Sequence, residues 1–110
     1  MFYEGTIRTL KNAIREKHPN IQSSYVDINE VKIIPISYVL WMLDKVEKME
    51  TSSIDDALKA ARWMGWIFRE IELRGIWTNN QTRNAVRADR LAGLDKPHTK
   101  LVEYKPLMKK

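Results

Sequence analysis

The sequence predicts an all-α protein, a compact bundle of about four helices over 5–17, 36–49, 54–74 and 79–92, with a basic C-terminal tail. Three observations predict it. Apolar residues recur at three- and four-residue steps in separate stretches, the period that places them on one helix face. The stretches are bounded by helix stop and start signals: His18-Pro19-Asn20, Thr51-Ser52-Ser53, Arg74-Gly75-Ile76 and Gly93-Leu94. The β-branched run Val31–Ile34 has no second strand-like run to pair with, so it reads as a loop with extended character. One helical domain over 1–93 and an extended tail over 94–110 follow.

In the first helix Ile7, Leu10 and Ile14 share a face, and Phe2 and Tyr3 are placed to pack under its first turn. Pro19 stops it, because the residue before a proline avoids the helical region. The second helix starts after Pro35, which suits a first-turn position. It carries Ile36, Val39/Leu40, Leu43, Val46 and Met49 inward, with Trp41 and Met42 widening the stripe. Ser53 with Asp56 approximates a capping box for the third helix. That helix has two candidate core lines: Ile54, Leu58, Ala61, Gly65, Phe68 and Glu72, and beside it Ala57, Ala60, Met64, Ile67 and Ile71. Its alanines and Gly65 suggest close approach of a neighbouring helix, since an interior glycine otherwise costs about 1 kcal/mol against alanine. Gly75 with Ile76 reads as a glycine C-cap with an apolar residue folding back. Thr78 and Gln81 form a second capping box, and Ala85, Ala88 and Leu91/Ala92 are the expected inward side of the last helix.

Composition narrows the function classes. Charged residues make up 30% and hydrophobic ones 44%, an ordinary globular balance. There is no cysteine, so the fold rests on its core, and a reducing cytoplasm is the expected compartment. The start, Met1-Phe2-Tyr3-Glu4-Gly5, carries no basic segment followed by an apolar one, so no signal peptide is expected. The apolar run Ile33–Leu43 falls well short of the roughly 20 residues of a membrane helix. The net charge of +5 lies in the last quarter: residues 83–110 hold eight Lys/Arg against three Asp/Glu, while the preceding residues balance. An excess placed this way suggests an anionic partner for the C-terminal part.

Catalysis is not expected. His18 and His98 both stand beside prolines without a metal-spaced partner, Asp55/Asp56 are explained by capping, and the four glycines at 5, 65, 75 and 93 form no phosphate loop. No metal ligand and no cofactor site is expected either. The candidate binding surface is Trp77, Asn80, Arg83, Asn84, Arg87 and Arg90. Arg83, Arg87 and Arg90 fall on one face, and Arg and Asn are residues that read phosphates and base edges. With the preceding helix they make a helix-turn-helix-like pair, opposed by Asp89, whose charge would repel phosphate. Trp77 stands open between a packed hinge and a stacking platform, whereas Trp41, Trp63 and Trp66 read as core. A solvated helix face is the plainer reading of the arginines, and the wide apolar faces favour a homodimer.

Three strings carry a resemblance: Ile36-Ser37-Tyr38-Val39-Leu40-Trp41-Met42; Lys59-Ala60-Ala61-Arg62-Trp63-Met64-Gly65-Trp66; and Trp77-Thr78-Asn79-Asn80 with Thr82-Arg83 and Arg87-Ala88-Asp89. Together they resemble small helical proteins of unassigned function encoded in tailed-phage genomes, over about residues 36–93. The resemblance implies an accessory protein in the host cytoplasm that binds a host or defence component or a small signalling molecule, and it transfers no functional residue. The expected function is non-catalytic binding of a host protein or an anionic ligand, with nucleic-acid binding through the 54–74 and 79–92 pair as the alternative and no membrane partner.

Overall fold

The computed structural model describes residues 1–91, and in them the all-α expectation holds. Four helices follow in order: α1 (Glu4–Lys17), α2 (Ile36–Glu47), α3 (Ile54–Leu73) and α4 (Asn79–Leu91). Helix α1 packs against both α2 and α4, and α2 packs against α3. The chain neighbours α3 and α4 are thus not a tightly packed pair; α4 packs on α1 instead. No strand is present among the described residues, and 18–35 is an irregular connection. It is pinned at Ser24 N–H to Ser37 C=O (3.0 Å) and at Ile34 C=O, which accepts from the Arg74 guanidinium. The expected tail over 94–110, with Ala92, Gly93 and His98, lies outside the described residues.

The core is built from the faces the helical period marks. Ile7, Leu10 and Ile14 of α1 meet Val39, Leu40, Leu43 and Val46 of α2, and the α3 line Ala57, Ala60, Met64, Ile67 and Ile71 closes it. Phe2 is buried beneath α1. Of the two candidate lines on α3, this one is inward; Leu58, Ala61 and Gly65 are exposed. Burying a side chain such as Ile67 or Leu43 fully is worth about 1.5–3 kcal/mol, so this shared line is the main store of stability. The close-approach role expected for Gly65 is corrected: a Cβ built there meets nothing within 4 Å. Pro35 is likewise the N-cap of α2 (ψ 150°) and not its first helical residue.

The turn signals fold as their chemistry requires. Gly75 takes φ +68°, where a side chain would be strained. Its N–H donates to Glu72 C=O and the Ile76 N–H to Ile71 C=O, both 3.0 Å, the paired bonds of a Schellman end. The Thr78–Gln81 box closes in both directions, at 2.7 and 3.2 Å. At α3 the Ser53 hydroxyl accepts from Asp56 N–H (3.2 Å), but the Asp56 carboxylate reaches past Ser53 to the Glu50 N–H (2.7 Å).

Two polar ties fix α1. Lys11 donates to Asp44 (2.5 Å) and Glu47 of α2. Burial opposes charge on both Lys11 and Asp44, yet the hydrogen bonds between them prevail, holding the Asp44 carboxyl below and the Lys11 ammonium above the usual range. Asp44 therefore contributes stability above the ordinary carboxylate pKa and loses it as pH falls through the depressed value. The second tie is Asp89 of α4, 3% exposed, which accepts from Gly5 N–H (3.0 Å), Thr6 N–H (2.9 Å) and the Thr6 hydroxyl (2.8 Å).

Two stability predictions follow from these contacts. Asp89→Ala strands buried donors at the start of α1 and should cost about 2–4 kcal/mol, read as a lower urea midpoint; an unchanged midpoint would contradict the tie. Gly65→Ala should stabilise by about 1 kcal/mol in the same assay, and a destabilised variant would show that a packed neighbour needs the glycine.

Candidate basic groove and aromatic face

Helix α4 owes its orientation to its inward residues. Thr82 and Asp89 are buried, and Ala85 and Val86 are partly so. This strip recurs every three to four residues and lies against α1. It shares Ala85 with the expected Ala85, Ala88 and Leu91/Ala92 side but departs from the rest: Ala88 is exposed and Leu91 is 82% exposed. The rotation has an electrostatic consequence. Asp89, expected to stand among the arginines, is turned into the protein and held by three donors. Arg83, Arg87 and Arg90 are exposed, and among the described residues none forms an ion pair.

The three arginines line a shallow groove of about 420 Å³ together with Asn79, Thr82, Val86 and, from α3, Phe68. Asn80 and Asn84 are exposed on the adjacent strip of α4 and do not line it. Trp77 does not join this surface. It is 9% exposed and belongs to the core cluster with Ile76, which makes it a packed hinge and removes it as a stacking platform. The expected site thus divides into three exposed arginines on one flank, a second flank with Asn80 and Asn84, and one structural tryptophan.

A second surface holds the three tryptophans expected in the core. Trp41, Trp63 and Trp66 are each only partly buried and join Tyr25 and Tyr38 in one ring network on the outer side of α2 and α3. Tyr38 stacks on Trp41 (5.3 Å, 19°) and meets Trp66 edge to face (6.3 Å, 89°). Trp41 and Trp63 bridge the two helices at 6.1 Å. Tyr25, 62% exposed, lies edge-on to Trp41 at 5.0 Å. Lys45 sits over Trp41 (5.3 Å) and Lys59 over Trp63 (5.1 Å), each one turn from its ring. Beside them Ile28, Tyr38, Met42, Arg62, Trp63 and Trp66 enclose a cleft of about 380 Å³. Burial, with smaller contributions from Tyr25 and Asp27, pushes the Tyr38 phenol above its usual pKa, so it is a neutral donor at physiological pH.

The sequence carried a signal for this face. Trp41 is two positions from Leu43, about 200° round the helix, so it points away from the stripe that Leu43 centres. Trp63 and Trp66 each precede a buried residue, Met64 and Ile67, by one position, about 100° off the core line.

Among the described residues no group of three His, Cys, Asp or Glu side chains converges to hold a metal ion. None of the described helices is long and apolar enough to cross a membrane. Comparison of the chain with protein-family models, with curated proteins and with solved structures finds no match.

Proposed function

We propose that the chain is a non-catalytic binding protein that engages an anionic partner through the arginine flank of α4. One observation carries this reading: a single helix separates its charges, with Asp89 consumed inside and Arg83, Arg87 and Arg90 left in solvent without a described carboxylate partner. Three like charges at three- and four-residue steps repel one another, a cost that an anion relieves. Phe68 and Val86 give the groove an apolar floor, the combination by which protein interfaces place a buried anchor beside a charged rim. An acidic protein surface fits that floor, and the resemblance to phage-encoded accessory proteins supports a host component as its source.

Nucleic acid is the second reading, favoured by the same inward turn of Asp89, which removes the repulsion that opposed it. The helix-turn-helix form of that reading loses its geometric basis, because α4 packs on α1 and not closely on α3. What remains is a charged flank suited to phosphates without groove reading.

The test measures retention of the purified chain on immobilised poly-glutamate and on duplex DNA at about 50 mM salt, near a 14 Å screening length. Binding to poly-glutamate, weakened about tenfold by Arg83→Ala/Arg87→Ala at an unchanged unfolding midpoint, is the expected result. Retention on DNA alone, with a salt slope about 2 units shallower in the double variant, would transfer the site to the second reading. Retention on neither would end both.

A further inference from the structure

The aromatic cleft on α2 and α3 shares no residue with the α4 groove. Trp63 and Trp66 stand on one side of the buried α3 line Met64/Ile67/Ile71, while Phe68 stands on the other. The cleft needs an explanation because its composition is unfavourable for plain solvent exposure. Over the buried Tyr38 and Met42, the partly buried Trp41, Trp63 and Trp66 and the exposed Tyr25 and Ile28 gather at a surface where an isolated globular domain usually spreads such residues singly.

The chemistry of the rim narrows the occupant. Arg62, Lys45 and Lys59 all border the rings, and among the described residues none of them pairs with a carboxylate. A cationic ligand is disfavoured, since the chain's own lysines already occupy the ring faces of Trp41 and Trp63 that a cation would seek. The cleft itself is a corner. Tyr38, buried and stacked on Trp41, lies at 89° to Trp66 and closes the inner end, so a flat ring entering the cleft has the partly exposed Trp66 to lie against. A volume of about 380 Å³ admits one such ring with its sugar. Duplex nucleic acid keeps its bases stacked inside and offers no ring to a corner of this kind, whereas an unpaired strand does.

We propose that this cleft is a stacking site for single-stranded nucleic acid, which takes one unpaired base against the partly exposed Trp66 while Arg62, Lys59 and Lys45 meet the flanking phosphates. Base stacking on exposed aromatics along a cationic path is the general means of holding single strands without regard to sequence. The site stands on other residues than the α4 groove, so it holds or fails independently of the function proposed above.

The experiment titrates the full chain with a labelled oligothymidylate of about 10 nucleotides, following anisotropy together with tryptophan emission. Saturable binding with quenched emission is expected, and its salt slope should be about −2, the value for three phosphate contacts on a single strand. Arg62→Ala, an exposed substitution, should weaken the quenching phase at least fivefold with an unchanged unfolding midpoint. Trp66→Leu should remove most of the quenching; if that variant does not fold, Arg62→Ala alone decides. Arg83→Ala/Arg87→Ala should leave the quenching amplitude intact, which separates this site from the α4 groove. Equal quenching by an abasic oligomer, equal quenching by poly-glutamate, or oligonucleotide binding without quenching would each overturn the proposal, the second by assigning the cleft to an acidic protein.

Discussion

The carboxylate of Asp89 at the start of α1 is the interaction on which the rest depends. The first N–H groups of a helix have no partner within it, and a side chain just before the helix usually supplies one. Here Tyr3 stands at that position in a left-handed conformation (φ 53°) and caps nothing with its side chain. Asp89 does the work from the opposite end of the described chain, accepting from the second and third residues of α1 as a local cap would. Its negative charge also faces the positive end of the α1 dipole. A buried carboxylate without partners would be costly; three donors make this one tenable.

That contact sets more than a helix end. It fixes which side of α4 is inward, and so decides that Arg83, Arg87 and Arg90 face water while Thr82 is buried and Ala85 and Val86 are partly so. It also draws α4 onto α1, away from the antiparallel hairpin that the short Gly75–Thr78 break alone would allow. Helix α3 then separates two surfaces of different character: the basic groove reached past Phe68, and the ring network around Trp63 and Trp66. Between them runs the buried line Ala57, Ala60, Met64, Ile67 and Ile71, which holds the helix to α2 and leaves both flanks open.

What was legible in the sequence was local. Helix positions, the Schellman end at Gly75, the Thr78–Gln81 box and the α1 and α2 core faces all follow from spacings of three to five residues. What was hidden depended on distant partners. Asp89 looked like a stray charge among arginines because its donors lie more than 80 positions away. Gly65 looked like a packing residue because α3 offers two nearly equal apolar lines, and only the position of α2 chooses between them. Trp41, Trp63 and Trp66 looked like core because their size outweighed their phase, although the phase already placed them off the buried stripes. Trp77 stands between two readings in the sequence, and its burial beside Ile76 decides for the packed hinge.

The central claim is that Asp89 is the cap of α1, and hydrogen exchange at individual amides tests it most directly. First-turn amides of a helix ordinarily exchange with little protection, having no carbonyl to bond. The account predicts that the Gly5 and Thr6 amides are protected to the level of the helix interior, such as Leu10, and that both lose this protection together in Asp89→Asn. Exchange of Gly5 and Thr6 at the rate of an unprotected chain, in the presence of a protected Leu10, would contradict it.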